Sequence, residues 1–164
     1  MEASMHFQCR PVDAAFFDTA PMLFSNVVDL DALPSKVFAI FEDGESWPHW
    51  FHAIHKLVWT SEKPYGVGST RTASLATVSI DEHFFIWEPG RRMAFYATGT
   101  SMPLAHALAE DYQLEEIEPG KTRFNYRVAM EPHLMVSLGG PLSKMYFESM
   151  FESACKNLKA YVKQ

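Results

Sequence analysis

Five side chains in the second half of the chain have the chemistry to move a proton or to orient a polar group: Glu82, His106, Glu110, Tyr112 and Tyr126. Strand alternation decides which of them share a face, because successive side chains of a strand point to opposite sides. Over 105–118, His106, Leu108, Glu110, Tyr112 and Leu114 are in phase, and the apolar members mark that phase as inward. Over 122–132, Phe124, Tyr126, Val128 and Met130 are in phase, opposite Arg123, Asn125 and Arg127. Over 78–88 two phases compete. Val78, Ile80, Glu82, Phe84 and Ile86 are taken as the inner set rather than Asp81, His83, Phe85 and Trp87, which places Glu82 inside. A carboxylate buried on such a face has its pKa raised by desolvation and suits a general base near neutral pH. Glu82 or Glu110 is then the base, with His106, Tyr112 or Tyr126 as proton donor. The structural alternative stands beside it: a carboxylate near a strand end that is hydrated or paired with an arginine.

Other chemistries find less support. His49, His52 and His55 are three apart, but Pro48 and the change to strand near Ala53 disperse them, so no metal site is expected. Cys9 and Cys155 have no metal-motif spacing and read as two reduced thiols. Gly66–Thr70, GVGST, is a turn between strands with no helix after it and makes no phosphate loop. Nothing calls for a cofactor. Arg91 and Arg92 follow a hairpin turn and are expected in surface ion pairs. A formal charge of −6 without a basic stripe disfavours nucleic acid and an anionic membrane surface as partners. No run reaches the roughly 18 apolar residues of a membrane helix and no signal sequence is apparent, so a cytoplasmic protein is expected. Homodimerisation is left open.

The elements that must position these groups read in a simple order. Residues 1–20 lack a sustained period and are expected to form an irregular arm, with Phe16 and Phe17 able to dock on the body. A single domain then spans 21–164, a size that supports one real core. It opens with a strand at 22–30, a helix over PSKVFAIFED and a short helical piece at 46–51. Strands follow at 53–60, 69–77, 78–88, 91–99, 105–118 and 122–132, joined by turns such as Glu88-Pro89-Gly90 and Glu118-Pro119-Gly120 that suit antiparallel hairpins. The last segment, 141–162, is a long amphipathic helix. Tyr146, Phe147, Met150, Phe151, Ala154, Leu158, Tyr161 and Val162 form its apolar stripe, and Glu148, Glu152, Lys156 and Lys159 lie opposite. Helices segregated from an antiparallel sheet make an α+β domain, and a sheet of seven strands curls enough to wrap that helix.

This order, together with Trp47-Pro48-His49-Trp50, GVGST, WEPGRRMAFYATG at 87–99 and PGKTRFNYRV at 119–128, resembles the polyketide cyclase/dehydrase branch of the START-like, or SRPBCC, superfamily. The resemblance implies a helix-grip fold, a curved seven-stranded antiparallel sheet around the C-terminal helix, with a deep pocket between them for an apolar small molecule. Phe84, Phe95, Phe124 and Met130, with Tyr112 and Tyr126, would form the sheet wall of such a pocket. Phe147, Met150, Phe151 and Ala154 would form its roof. Two functions fit: a carrier or sensor of a lipid, isoprenoid or aromatic, polyketide-like ligand, with 100–105 as a gate, or a cyclase or dehydratase without cofactor that uses Glu110, His106 and Glu82. A fold by itself does not choose between them.

Overall fold

The computed structural model describes residues 6–164. Its centre is a curved antiparallel sheet of seven strands in the order β2-β8-β7-β6-β5-β4-β3. These are β2 (Met22–Leu30), β3 (Ile54–Trp59), β4 (Thr70–Leu75), β5 (Ser79–Glu88), β6 (Arg92–Thr100), β7 (Ala105–Glu118) and β8 (Lys121–Pro132). Between β2 and β3 lie α2 (Pro34–Glu42), a 3-10 turn at Gly44–Ser46 and α3 (Trp47–Trp50). Pro34 and Pro48 sit in the first turns of α2 and α3, where a missing N–H costs no helical hydrogen bond.

The concave face wraps the 22-residue α5 (Gly140–Tyr161), which buries Phe147, Phe151, Ala154, Cys155 and Leu158. Phe151 meets Phe24 and Tyr126 edge-on, with ring centroids 5.3 and 5.6 Å apart. Burying a phenylalanine contributes roughly 1.5–3 kcal/mol, so this stripe fixes the helix on the sheet. The buried stripe begins later than its periodicity suggests. Tyr146 is 64% exposed, and Leu142 and Met145 in the same first turns of α5 are exposed too. A helix that the sequence reading missed, α4 (Leu134–Leu138), precedes them, and Gly140 at φ +51° makes the left-handed bend between the two.

Of the arm expected at 1–20, residues 1–5 lie outside the described residues. The rest is ordered. β1 (Phe7–Gln8) pairs with Gly99 and Thr100 at the end of β6, beyond the stretch of β6 that pairs with β7. α1 (Phe16–Thr19) packs Phe16 and Phe17 on the convex face over Ala94, Ala107, Ala109 and Ala129. Four alanines leave the room in which two aromatic rings can sit.

Two bulges change the expected phases. In β5, Phe84 pairs with Phe95 and Ile86 with Ala94, so Phe85 is an extra residue. Glu82 and Phe84 therefore face the concave core as expected, whereas Ile86 joins the convex cluster and Trp87 turns inward. In β7, Ala105 pairs with Pro132 and Ala107 with Glu131, leaving His106 as the extra residue. A bulge leaves one residue unpaired and reverses the alternation on one side of it.

Candidate functional site

Under the sheet, a cavity of about 50 Å³ lies between the concave face, α3 and α5. Its walls are mostly apolar, with Trp47, Phe95, Leu108, Met130, Met150 and Phe151 among them, and four charged or ionisable residues break that lining: Arg71, Glu82, Glu110 and Tyr112. An outer vestibule of about 270 Å³ shares Leu75, Val78, Leu104 and Met150 with the chamber. Met102, Met135 and Tyr146 form part of the vestibule's rim.

The ionisable cluster follows from register. Arg71 and Glu82 are direct cross-strand partners on β4 and β5, and the Arg71 Nε donates to Glu82 Oε2 at 2.5 Å. Tyr112 and Tyr126 are cross-strand partners on β7 and β8. Glu110 is two residues before Tyr112 on the same face and diagonal to Tyr126, within reach of both side chains. Both phenols donate to the same oxygen, Glu110 Oε2, at 2.7 and 2.8 Å. The other oxygen, Oε1, has no hydrogen-bond partner among the described residues. Glu110 lines the chamber and retains some accessible surface.

Burial dominates the electrostatics. It raises the Glu110 pKa to about 7; the charge of Glu82 pushes the same way, against the two phenol hydrogen bonds. Burial also raises Glu82, opposed by Arg71. Tyr112 and Tyr126 are held well above 10, first by burial and then by Glu110, so both phenols remain donors. The Arg71 guanidinium is 1% exposed and packed among rings, 4.5 Å from Trp47, 4.8 Å from Phe95, 4.9 Å from Phe84 and 5.3 Å from Trp59. Such contacts, with the Glu82 bond, let a cation persist in an apolar interior.

The structure brings Glu82, Glu110 and Tyr112 together around one cavity with Phe95, Met130, Met150 and Phe151. Tyr126 holds Glu110 from the side, and Phe84 packs beneath Arg71. Phe124 stacks on Tyr126 and meets Tyr112 edge-on, behind the lining. Phe147 and Ala154 are buried along α5 without reaching the chamber. His106 does not belong to the site. The β7 bulge turns it out of the core, where it is exposed beside His133 and a groove formed with Arg10 and Glu131. Arg92 also departs from expectation: its partner is the fully buried Asp111 on the convex face. His49 stacks on Tyr161 and His52 contacts Asn157, and among the described residues no group of three His, Cys, Asp or Glu side chains could hold a metal ion.

Arg71 is a member of the polar cluster that the sequence reading does not single out. Its strand carries Ser69, Arg71, Ala73 and Leu75 in one phase, and the apolar Ala73 and Leu75 were the available sign that Arg71 points inward.

A sheet gripping one long helix over a chamber with an internal polar cluster defines a START-like, helix-grip protein. The chain belongs to the family described as polyketide cyclase / dehydrase and lipid transport, whose model matches residues 22–163. Uncharacterized proteins of Mycobacterium bovis and Mycobacterium tuberculosis are 37% identical over 142 residues, 86% of this chain and 81% of theirs. The fold is similar to that of a START superfamily protein from Mycobacterium smegmatis, with a TM-score of 0.74 and 16% identity over 87% of this chain and 97% of that one. It is also similar to a hypothetical protein from Helicobacter pylori, with a TM-score of 0.75 and 11% identity over 93% and 95% of the two chains. Among the described residues no helix is long and apolar enough to cross a membrane.

Proposed function

We propose that the protein binds an apolar small molecule between sheet and α5, as a carrier or sensor, with the polar end of the molecule on Glu110. The lipid, isoprenoid and aromatic or polyketide-like classes all present such a shape. The observation that carries the reading is the unequal use of the Glu110 carboxyl: Oε2 is saturated by Tyr112 and Tyr126, while Oε1 keeps its hydrogen-bonding capacity in a largely apolar chamber. Apolar walls with a few placed polar groups are the usual form of a small-molecule site. Met150 is adaptable and lies where chamber and vestibule share a wall, so its movement would admit a ligand larger than the closed chamber.

A second reading has an observation in its favour. Glu110 titrating near 7 is suited to removing a proton alpha to a carbonyl, while one of the two phenols would turn its single O–H from Glu110 Oε2 to the substrate oxygen and steady the enolate. That is the acid-base chemistry of a cyclase or dehydratase without cofactor, with Glu110 as base, Tyr112 or Tyr126 as the donor, and Glu82 bound to Arg71 rather than free to act. Native mass spectrometry of protein purified without denaturation identifies a retained ligand, and the Glu110→Gln variant then separates the readings. Carriage predicts affinity weakened by ~1–3 kcal/mol, the cost of a mismatched buried polar group. Catalysis predicts nearly unchanged affinity and lost turnover, since an amide cannot take the proton. If no apolar compound is retained and none binds on titration, both readings fall.

A further inference from the structure

The groups around the chamber constrain the charge of what it can hold. Arg71 is its cation, and Glu82 already occupies the Nε side of that guanidinium at 2.5 Å. The Arg71 Nη1 reaches the Phe41 carbonyl at 3.5 Å, and rings on α3, β3, β5 and β6 surround the rest of the group. Glu110 is the second carboxyl, and its two neighbours from β7 and β8 are phenols, so no cation is bonded to it. On the helix side the lining is Met150 and Phe151, neither of them charged. The buried charges are thus one guanidinium and one carboxylate already paired, with a second carboxyl beside them.

We propose, on the reading of the chamber as a ligand site, that it selects an uncharged ligand carrying one hydroxyl or carbonyl oxygen, held by Glu110 Oε1, and rejects carboxylates and ammonium compounds of the same shape. A carboxylate entering this space would add an anion beside Glu82 and the Glu110 carboxyl, and Arg71, the one cation lining the chamber among the described residues, is already paired. While Glu110 keeps its proton, an ammonium group would find no free carboxylate in the lining, since Glu82 is held by Arg71. Either charge loses its hydration on entry, and an unpaired buried charge costs far more than a neutral oxygen that keeps one hydrogen bond. With its proton, which rests on the oxygen left free by the phenols, Glu110 donates to a carbonyl. Without it, the same oxygen accepts from a hydroxyl. One carboxyl therefore serves both neutral head groups.

The test is isothermal titration calorimetry of the whole protein with five probes on one ring system: naphthalene, 2-naphthol, 2-acetylnaphthalene, 2-naphthoate and 2-naphthylmethylammonium. At about pH 6, the naphthol and the ketone are expected to bind at least ~10-fold tighter than either charged probe, and a few-fold tighter than naphthalene. Freeing the guanidinium should reverse the anion's disadvantage, so Glu82→Gln is expected to improve naphthoate binding relative to naphthol. Wild-type protein that binds naphthoate or the ammonium probe as tightly as the naphthol overturns the charge selection while leaving the chamber as a ligand site. Failure of all five probes to bind overturns the ligand-site reading and this inference with it. The comparison of probes on the wild type decides the matter even if Glu82→Gln does not fold.

Discussion

Glu110 and Asp111 are neighbours on β7 and point to opposite faces of one sheet, and their surroundings could hardly differ more. On the convex side, Asp111 is fully buried under the N-terminal arm and accepts from two guanidinium groups. Arg92 approaches it through Nε at 2.8 Å and Nη2 at 3.0 Å, Arg127 through Nη2 at 2.7 Å, and the Gln113 amide adds a bond at 2.8 Å. Arg127 also lies over the Phe17 ring and reaches Asp18, which ties α1 to the same cluster. On the concave side, Glu110 has two phenols, no bonded cation and one oxygen without a partner, and its pKa rises to about 7. A carboxylate with its acceptor sites filled by cations is a fixed structural part. A carboxyl left partly unmatched beside a cavity is available for a ligand or a proton. Burial alone does not set what a carboxyl is free to do; its partners do.

The largest effect is expected at the Arg71–Glu82 pair within the chamber. Arg71→Met removes the cation paired with Glu82, and stability should fall by ~3–5 kcal/mol, the usual cost of leaving a buried charge without its partner. Adding Glu82→Gln should recover much of that loss. Urea unfolding of the single and double variants measures both, and a loss below ~1 kcal/mol for Arg71→Met would show that the chamber is far wetter than described.

On the other face, Asp111→Asn leaves Arg92 and Arg127 without their shared partner. These two guanidinium groups are about a quarter to a third exposed, so water offsets part of the loss and ~2–4 kcal/mol is expected. Ligand binding in the chamber should be unchanged, since Asp111 faces away from it. An Asp111 variant of normal stability that loses ligand binding would invert the assignment of the two faces.

The smallest effect is the most specific. The Glu110 pKa is raised by folding from an ordinary 4.5 to about 7, so between these values the folded protein binds more protons than the unfolded chain. Its contribution to stability therefore falls as pH rises through that window and is constant on either side. Glu110→Gln has no such titration. The stability difference between wild type and variant should shift toward the variant by at most ~3 kcal/mol from about pH 4.5 to about pH 8, concentrated below about pH 7. Denaturant unfolding of both proteins across that range gives the difference directly, and a flat line would mean that Glu110 is as well matched as Asp111.

The sequence reached far into this protein for a physical reason: alternation and helical periodicity are local properties that survive in the order of residues. The period of β8 placed Phe124, Tyr126, Val128 and Met130 inward, and that of β7 placed Leu108, Glu110, Tyr112 and Leu114 on the same face. The α5 stripe identified Phe147, Phe151, Ala154 and Leu158. Tertiary structure decided what depends on two segments at once. A bulge exists only relative to the partner strand, so the sequence reading could not know that Ala107 would pair with Glu131 and expel His106. The exposure of Tyr146 at the start of α5 depends on what packs against that turn, which the helical period alone does not set. Above all, Arg71 meets Glu82 across strands and both phenols meet one oxygen of Glu110. Residues 71, 82, 110 and 112 share a chamber, with Tyr126 bonded to Glu110 beside it, because register sets distances between strands, and no period along a single strand encodes that register.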